Sequence, residues 1–228
     1  MNSQATFWRH TFAHLSKDLR LEWRSRDALI GMLFFSLLVI VVFSLAFEPT
    51  SAVSRQIAGG ILWMVLLFAA TTGLNQSWNR EQRNGVLDAQ RLSPASPAAL
   101  FLGKALANLI FVTVVEVLLA PLFVIFYNLH ALGEGRLLLL VMPLGTWAIV
   151  ANGTFFAALG LRTRNRELML PLVLFPISIP ALLAMVQATT NILTGEYEPG
   201  LWIKLLVGYD IVFTTACLLL FEIVLNAE

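Results

Sequence analysis

The stretch IAGGILWMVLLFAATTGLNQSW, residues 57–78, carries no charged side chain. Coiled as a helix rising 1.5 Å per residue, it is long enough to cross the roughly 30 Å hydrocarbon core of a bilayer. Three more uncharged runs, 28–47, 137–161 and 168–193, meet the same requirement. Two others, 105–129 and 205–221, meet it with one acidic residue each, Glu116 and Asp210. Composition agrees, since 58% of the 228 residues are hydrophobic and only 13% are charged, too apolar for a water-soluble fold. The expected fold class is an all-α integral membrane protein in a single domain, 1–228. Its transmembrane helices are expected at 28–47, 56–76, 103–128, 137–161, 168–190 and 203–224, and no internal repeat interrupts them.

A net charge of +1 conceals a strong asymmetry. Orientation follows Lys and Arg in short loops. With the amino terminus inside, twelve of the fifteen basic residues fall on the inner side, leaving Arg55, Arg136 and Lys204 outside. Both termini are therefore expected in the cytoplasm. Before the first span, Trp8, Phe12, Leu15, Leu19 and Trp23 recur at steps of three and four, with Arg9, Lys17, Asp18, Arg20 and Arg24 on the other faces. Residues 5–26 thus read as an amphipathic helix lying in the inner headgroup layer, basic side toward anionic lipid. The first apolar run begins only after residue 27 and no small-residue cleavage site follows it, so the first span is expected to be an uncleaved anchor. Cys217 is the single cysteine, which excludes an internal disulfide and a two-cysteine metal or haem-attachment motif.

Pro171, Pro176 and Pro180 each remove a donor from span five and crowd the preceding turn, so this helix is expected to be kinked or broken. Weaker apolar character from Gln187 to Pro199 suggests a short outer excursion before span six. Ala69 with Gly73, and Gly153 with Ala157, are small pairs at helical spacing that permit close helix contact.

Between spans two and three lies the polar peptide REQRNGVLDAQRLSPASP, residues 80–97. Ser96 before Pro97 is a helix-start signature, with Ser capping free amides and Pro in the first turn, so span three begins below the membrane. Lys104 is expected to extend its ammonium back to the headgroups. Upstream, Gly85 can begin a short helix with Asp88 in its first turn, and Pro94 stops it at Ser93. The resulting 84–93 helix has about eight helical residues, too few to be stable alone in water. Either the membrane surface or a groove in a soluble partner must hold it. Gly103-Lys104 is not a phosphate loop, because Ala98 and Ala105 occupy the places where that loop needs Gly and Ser or Thr. ATP must therefore be hydrolysed by another chain.

The series Glu81, Gly85, Leu87, Asp88, Leu92, Ser93, Pro94, then Gly103-Lys104, resembles the coupling-helix loop of six-span permeases in ABC-type exporters. IAGGILWMVLLFAATTGLNQSW (57–78) and LPLVLFPISIPALL (170–183) are similar to the CcmB family, haem exporter protein B, over essentially the whole chain. The resemblance implies an ABC-2-type exporter permease architecture and a non-catalytic role in cytochrome c maturation. It implies docking of a separate, CcmA-like ATPase on Glu81, Gly85, Val86, Leu87, Asp88, Arg91 and Leu92, with ATP and Mg on that partner. Gln90 stands where the family usually has Leu, leaving Val86, Leu87 and Leu92 as the apolar side of the docking helix. Further implied partners are a CcmC-like haem-binding membrane subunit, a small CcmD-like membrane subunit, a CcmE-like haem chaperone and a second copy of this chain. Haem is expected on those partners, no cofactor on this chain, and no nucleic acid.

Glu116 falls near the middle of span three, where an unpaired ionised carboxylate costs at least ~3 kcal/mol, so it must face the bundle, a cavity or a partner, or carry a proton. Asp210 poses the same problem, beside a Tyr209 that can donate to another helix. Glu222 is near enough to the inner end to reach headgroups. Haem iron takes His, Met, Cys or Tyr, but His10 and His14 lie on the interfacial helix and His130 reads as an outer-loop residue. Rival readings are an exporter of another cargo (lipid, drug or glycan) and an ion-coupled secondary transporter using Glu116 and Asp210. An embedded enzyme lacks both a metal-ligand cluster and a nucleophile with a base beside it.

Overall fold

A computed structural model describes residues 3–47, 51–83, 85–86, 96–161 and 166–226. Among these, the chain forms α1 (Ser3–Ser25), α2 (Asp27–Ala46), α3 (Ser51–Arg83), α4 (Pro97–Tyr127), α5 (Leu138–Gly160), α6 (Arg166–Thr194) and α7 (Gly200–Asn226), with one 3-10 turn at Gly135–Leu137 and no strand. Helices α2 to α7 are each long and apolar enough to cross a membrane, which makes this a multi-pass membrane protein. Helix α1, the end of α3, the start of α4 and the end of α7 meet at one end of the bundle, here the basic end.

Local chemistry explains the boundaries. Ser96 is extended, its Oγ accepts from the Ala99 amide at 3.3 Å, and Pro97 fills the first turn of α4. Arg26 breaks α1 from α2 by adopting φ 59°. The cap its own side chain does not supply comes from Glu22, whose Oε1 accepts from the amides of Ala28 at 3.0 Å and Leu29 at 3.4 Å. At the opposite end, the loop after α4 is pinned to α6 by Leu132 and Gly133 amides donating to Leu193 and Ile192 carbonyls.

Helices α3 and α5 sit deepest, while α2 and α7 lie at the periphery. Large residues of α3 fill spaces left by glycines opposite. A Cβ on Gly145 would lie 2.3 Å from the Trp63 ring, and one on Gly153 would lie 2.4 Å from Leu74. Gly73 of α3 in turn makes room for the Met32 sulfur of α2. Ala69 and Ala157 are buried, so the small pairs do mark close contact. Buried Trp and Tyr donors find acceptors: Trp63 on Thr189, Trp78 on the Thr154 carbonyl, Tyr127 on the Ile40 carbonyl.

Two expectations are narrowed. Helix α6 runs unbroken through Pro171, Pro176 and Pro180. The Tyr209 hydroxyl of α7 donates to the Ile177 carbonyl at 3.1 Å, between Pro176 and Pro180, and so ties this stretch of α6 to α7. The outer excursion is confined to 195–199, because Ala188, Ile192 and Leu193 are buried and keep the last turns helical. Helix α3 continues past its apolar run to Arg83, and α4 starts at Pro97 as Ser96-Pro97 indicated.

Candidate functional site

The basic end holds a cluster of charges buried between three elements. Lys104, in the second turn of α4, is 1% exposed and does not reach the headgroups as its position suggested. Its Nζ donates to Asp18 Oδ2 of α1 at 3.2 Å and lies 3.1 Å from Glu81 Oε1 of α3. It also stands 4.6 Å above the Trp78 ring. Lys17 bonds the same Glu81 oxygen and lies 3.2 Å from Asp18 Oδ1. One turn along, Arg80 bonds Glu22 and donates to Ser25 Oγ at 3.2 Å. Three cations and three carboxylates therefore balance across α1, α3 and α4. Burial works against the Lys17 ammonium, but the adjoining Asp18 and Glu81 carboxylates outweigh it and hold its pKa above the ordinary 10.5.

Helix α1 thus has three faces rather than two. Trp8, Phe12 and Trp23 are exposed along one side, Arg9, Arg20 and Arg24 along another, and Thr11, Asp18 and Glu22 are buried against the bundle. Contact is closest at Gly103 of α4, where a Cβ would sit 2.6 Å from the Thr11 carbonyl oxygen and 2.8 Å from His14 Cβ. A cavity of about 60 Å³, lined by Lys17, Asp18, Glu22, Arg80, Glu81 and Val86, adjoins the cluster. It has room for a few waters.

Of the residues expected to dock a partner, Glu81 is 4% exposed and turned inward onto Lys17 and Lys104. Its place is the anchorage of the loop rather than the loop's outer surface. Gly85 is exposed with φ 66°, and its amide bonds the Gln82 carbonyl at 3.2 Å, ending α3 in the left-handed conformation glycine favours. Val86 resumes helical geometry and is half-buried. Leu87, Asp88, Gln90, Arg91, Leu92, Ser93 and Pro94 lie outside the described residues.

Within the bundle, Glu116 is buried and accepts a hydrogen bond from Thr146 of α5. Asp210 is buried as well, and neither of its oxygens has a hydrogen-bond partner among the described residues. Tyr209 links α7 to α6 through Ile177 and accepts from Asn152 of α5 at 3.1 Å. Cys217 packs 3.8 Å from Asn152 Oδ1. His130 and Glu222 are exposed.

Residues 9–224 match the model of the CcmB protein family. The chain belongs to the CcmB family. Similar relatives named heme exporter protein B share 31% identity over 88% of this chain and 90% of the relative from Pseudomonas aeruginosa. For Rhodobacter capsulatus the figures are 35% over 75% and 78%, and for Bradyrhizobium diazoefficiens 27% over 88% and 90%. The CcmB match begins at Arg9 and so takes in the part of α1 that carries the buried acids.

Proposed function

We propose that this chain is the membrane permease subunit of an ABC transporter that handles haem in cytochrome c maturation. What carries this reading is the family match along nearly the whole chain, together with relatives named for haem export. The subunit sits in a bacterial inner membrane with its basic end in the cytoplasm, where short loops rich in Lys and Arg remain. ATP is hydrolysed on a separate ATPase subunit that grips residues 84–93, and haem is carried by partner subunits and a haem chaperone. Both ends of the gripped loop are held by the buried charges, Glu81 on the α3 side and Lys104 on the α4 side. A pull on the loop is therefore delivered to α1, α3 and α4 together.

The test is to purify the tagged chain from native membranes and identify what accompanies it. The wild-type chain is expected to bring an ATPase subunit, and Leu87→Asp to lose it while staying in the membrane. An ATPase retained on Leu87→Asp with unchanged stimulation of its hydrolysis would overturn the assignment of the docking loop.

A further inference from the structure

Between α2 and α4 runs a furrow that no other helix among the described residues fills. Near the basic end it forms a groove of about 420 Å³, floored by Leu29, Ile110, Phe111 and Val114, with Arg20 and Trp23 of α1 at its mouth. Farther along the same two helices a second groove of about 310 Å³ follows, walled by Leu33, Leu37, Leu118 and Leu122. From Ile110 to Leu122 is ~18 Å of helix. That compares with ~15 Å for the hydrocarbon of one leaflet.

Two features say what fits. Every apolar residue lining the two grooves is Leu, Ile, Val, Phe or Trp, with no Gly, Ala or Ser to let a helix backbone approach, as intramembrane helix contacts prefer. A single acyl chain, which bends to follow such a wall, has no such requirement. At the mouth, Arg20 is exposed and has no acidic partner among the described residues, so its guanidinium is free for a phosphate. Trp23, 70% exposed beside it, has the apolar body and polar N–H that settle at headgroup depth.

We propose that the α2–α4 seam is a binding site for an anionic phospholipid, with its phosphate on Arg20 and one acyl chain laid along Leu29, Ile110, Val114 and Leu118. The lipid continues the interfacial helix into the bundle and bridges α1, α2 and α4.

Native mass spectrometry of the full chain released from detergent, titrated with phosphatidylglycerol or phosphatidylcholine, tests this. Wild type is expected to retain one phosphatidylglycerol per chain in preference to phosphatidylcholine. Arg20→Gln is expected to bind it about fivefold more weakly, the effect of one surface cation on an anionic lipid. Arg24→Gln, one turn along α1 and not lining the groove, keeps wild-type affinity. Leu118→Trp, at a 51% exposed position, fills the furrow and loses the lipid with Arg20 still present. Equal retention of the two lipids by wild type, or unchanged affinity in Arg20→Gln, would overturn the proposal. So would disulfide pairing of two copies through Leu37→Cys, which would make the furrow a protein interface. Should Leu118→Trp fail to fold, the Arg20→Gln titration decides alone.

Discussion

Replacing Lys104 with Met would remove one of the two ammonium groups that face both Asp18 and Glu81, leaving those buried carboxylates with only Lys17 to answer them. Breaking a buried ion cluster on one side costs about 3–5 kcal/mol. Lys104→Met should therefore melt well below wild type in detergent, whereas Arg24→Gln at an exposed position should not. His14 gives a second handle. Burial against α4, then Lys17, pushes its imidazole below the ordinary 6.5, with Asp18 and Glu81 opposing and Lys104 adding to the fall. The unfolded chain thus takes up the proton more readily than the folded one. Stability is full above about pH 6.5 and declines as pH falls through the folded value. His14→Gln should keep its neutral melting temperature and lose part of the acid decline, read by melting at about pH 7.5 and 5.5. None of these pairings is visible along the chain, because Lys104 and Asp18 are 86 residues apart and each alone resembles an interfacial charge. The available signal is that Asp18 and Glu22, the only acids of α1, stand four apart and share a face opposite the arginines.

The helices themselves were legible, since a membrane span is announced by the length of its uncharged run and α4 by Ser96-Pro97. What composition does not record is which side of a helix is closed by another. Helix α1 reads as two-sided because an aromatic and a basic stripe are easy to see, whereas its bundle face is polar. The junction of α1 with α4 rests on Gly103, and the atom a new Cβ would meet there is backbone oxygen, which cannot rotate away. Gly103→Ala should force α1 off its seat at a cost of about 1–3 kcal/mol. Faster hydrogen exchange over residues 7–22, with α5 and α6 unchanged, is the expected result. Unchanged exchange there would mean that α1 is seated elsewhere.

Across the whole molecule, the elements that meet at the basic end are bound into one body. Arg80 and Glu81 end α3, Lys104 begins α4, and α1 grips all three through Glu22, Asp18 and Lys17. Only the left-handed Arg26 separates this body from α2. Charges are a poor means of holding helices together, since an apolar replacement of similar volume is often as stable, but their fixed partners do specify one register. Stability and transmission can therefore be separated. The quadruple variant Lys17→Leu, Asp18→Leu, Glu81→Met, Lys104→Met, which leaves no member of that group unpaired, should recover most of the melting temperature that Lys104→Met alone loses. It should keep the ATPase bound, because residues 84–93 are untouched. Its ATP-driven release of haem-loaded chaperone should nonetheless stay low, since α1 is free to slip against α3 and α4 when the loop is pulled. If release returned together with the melting temperature, the buried charges would serve only to hold the fold, and the force would travel through α3 and α4 without α1.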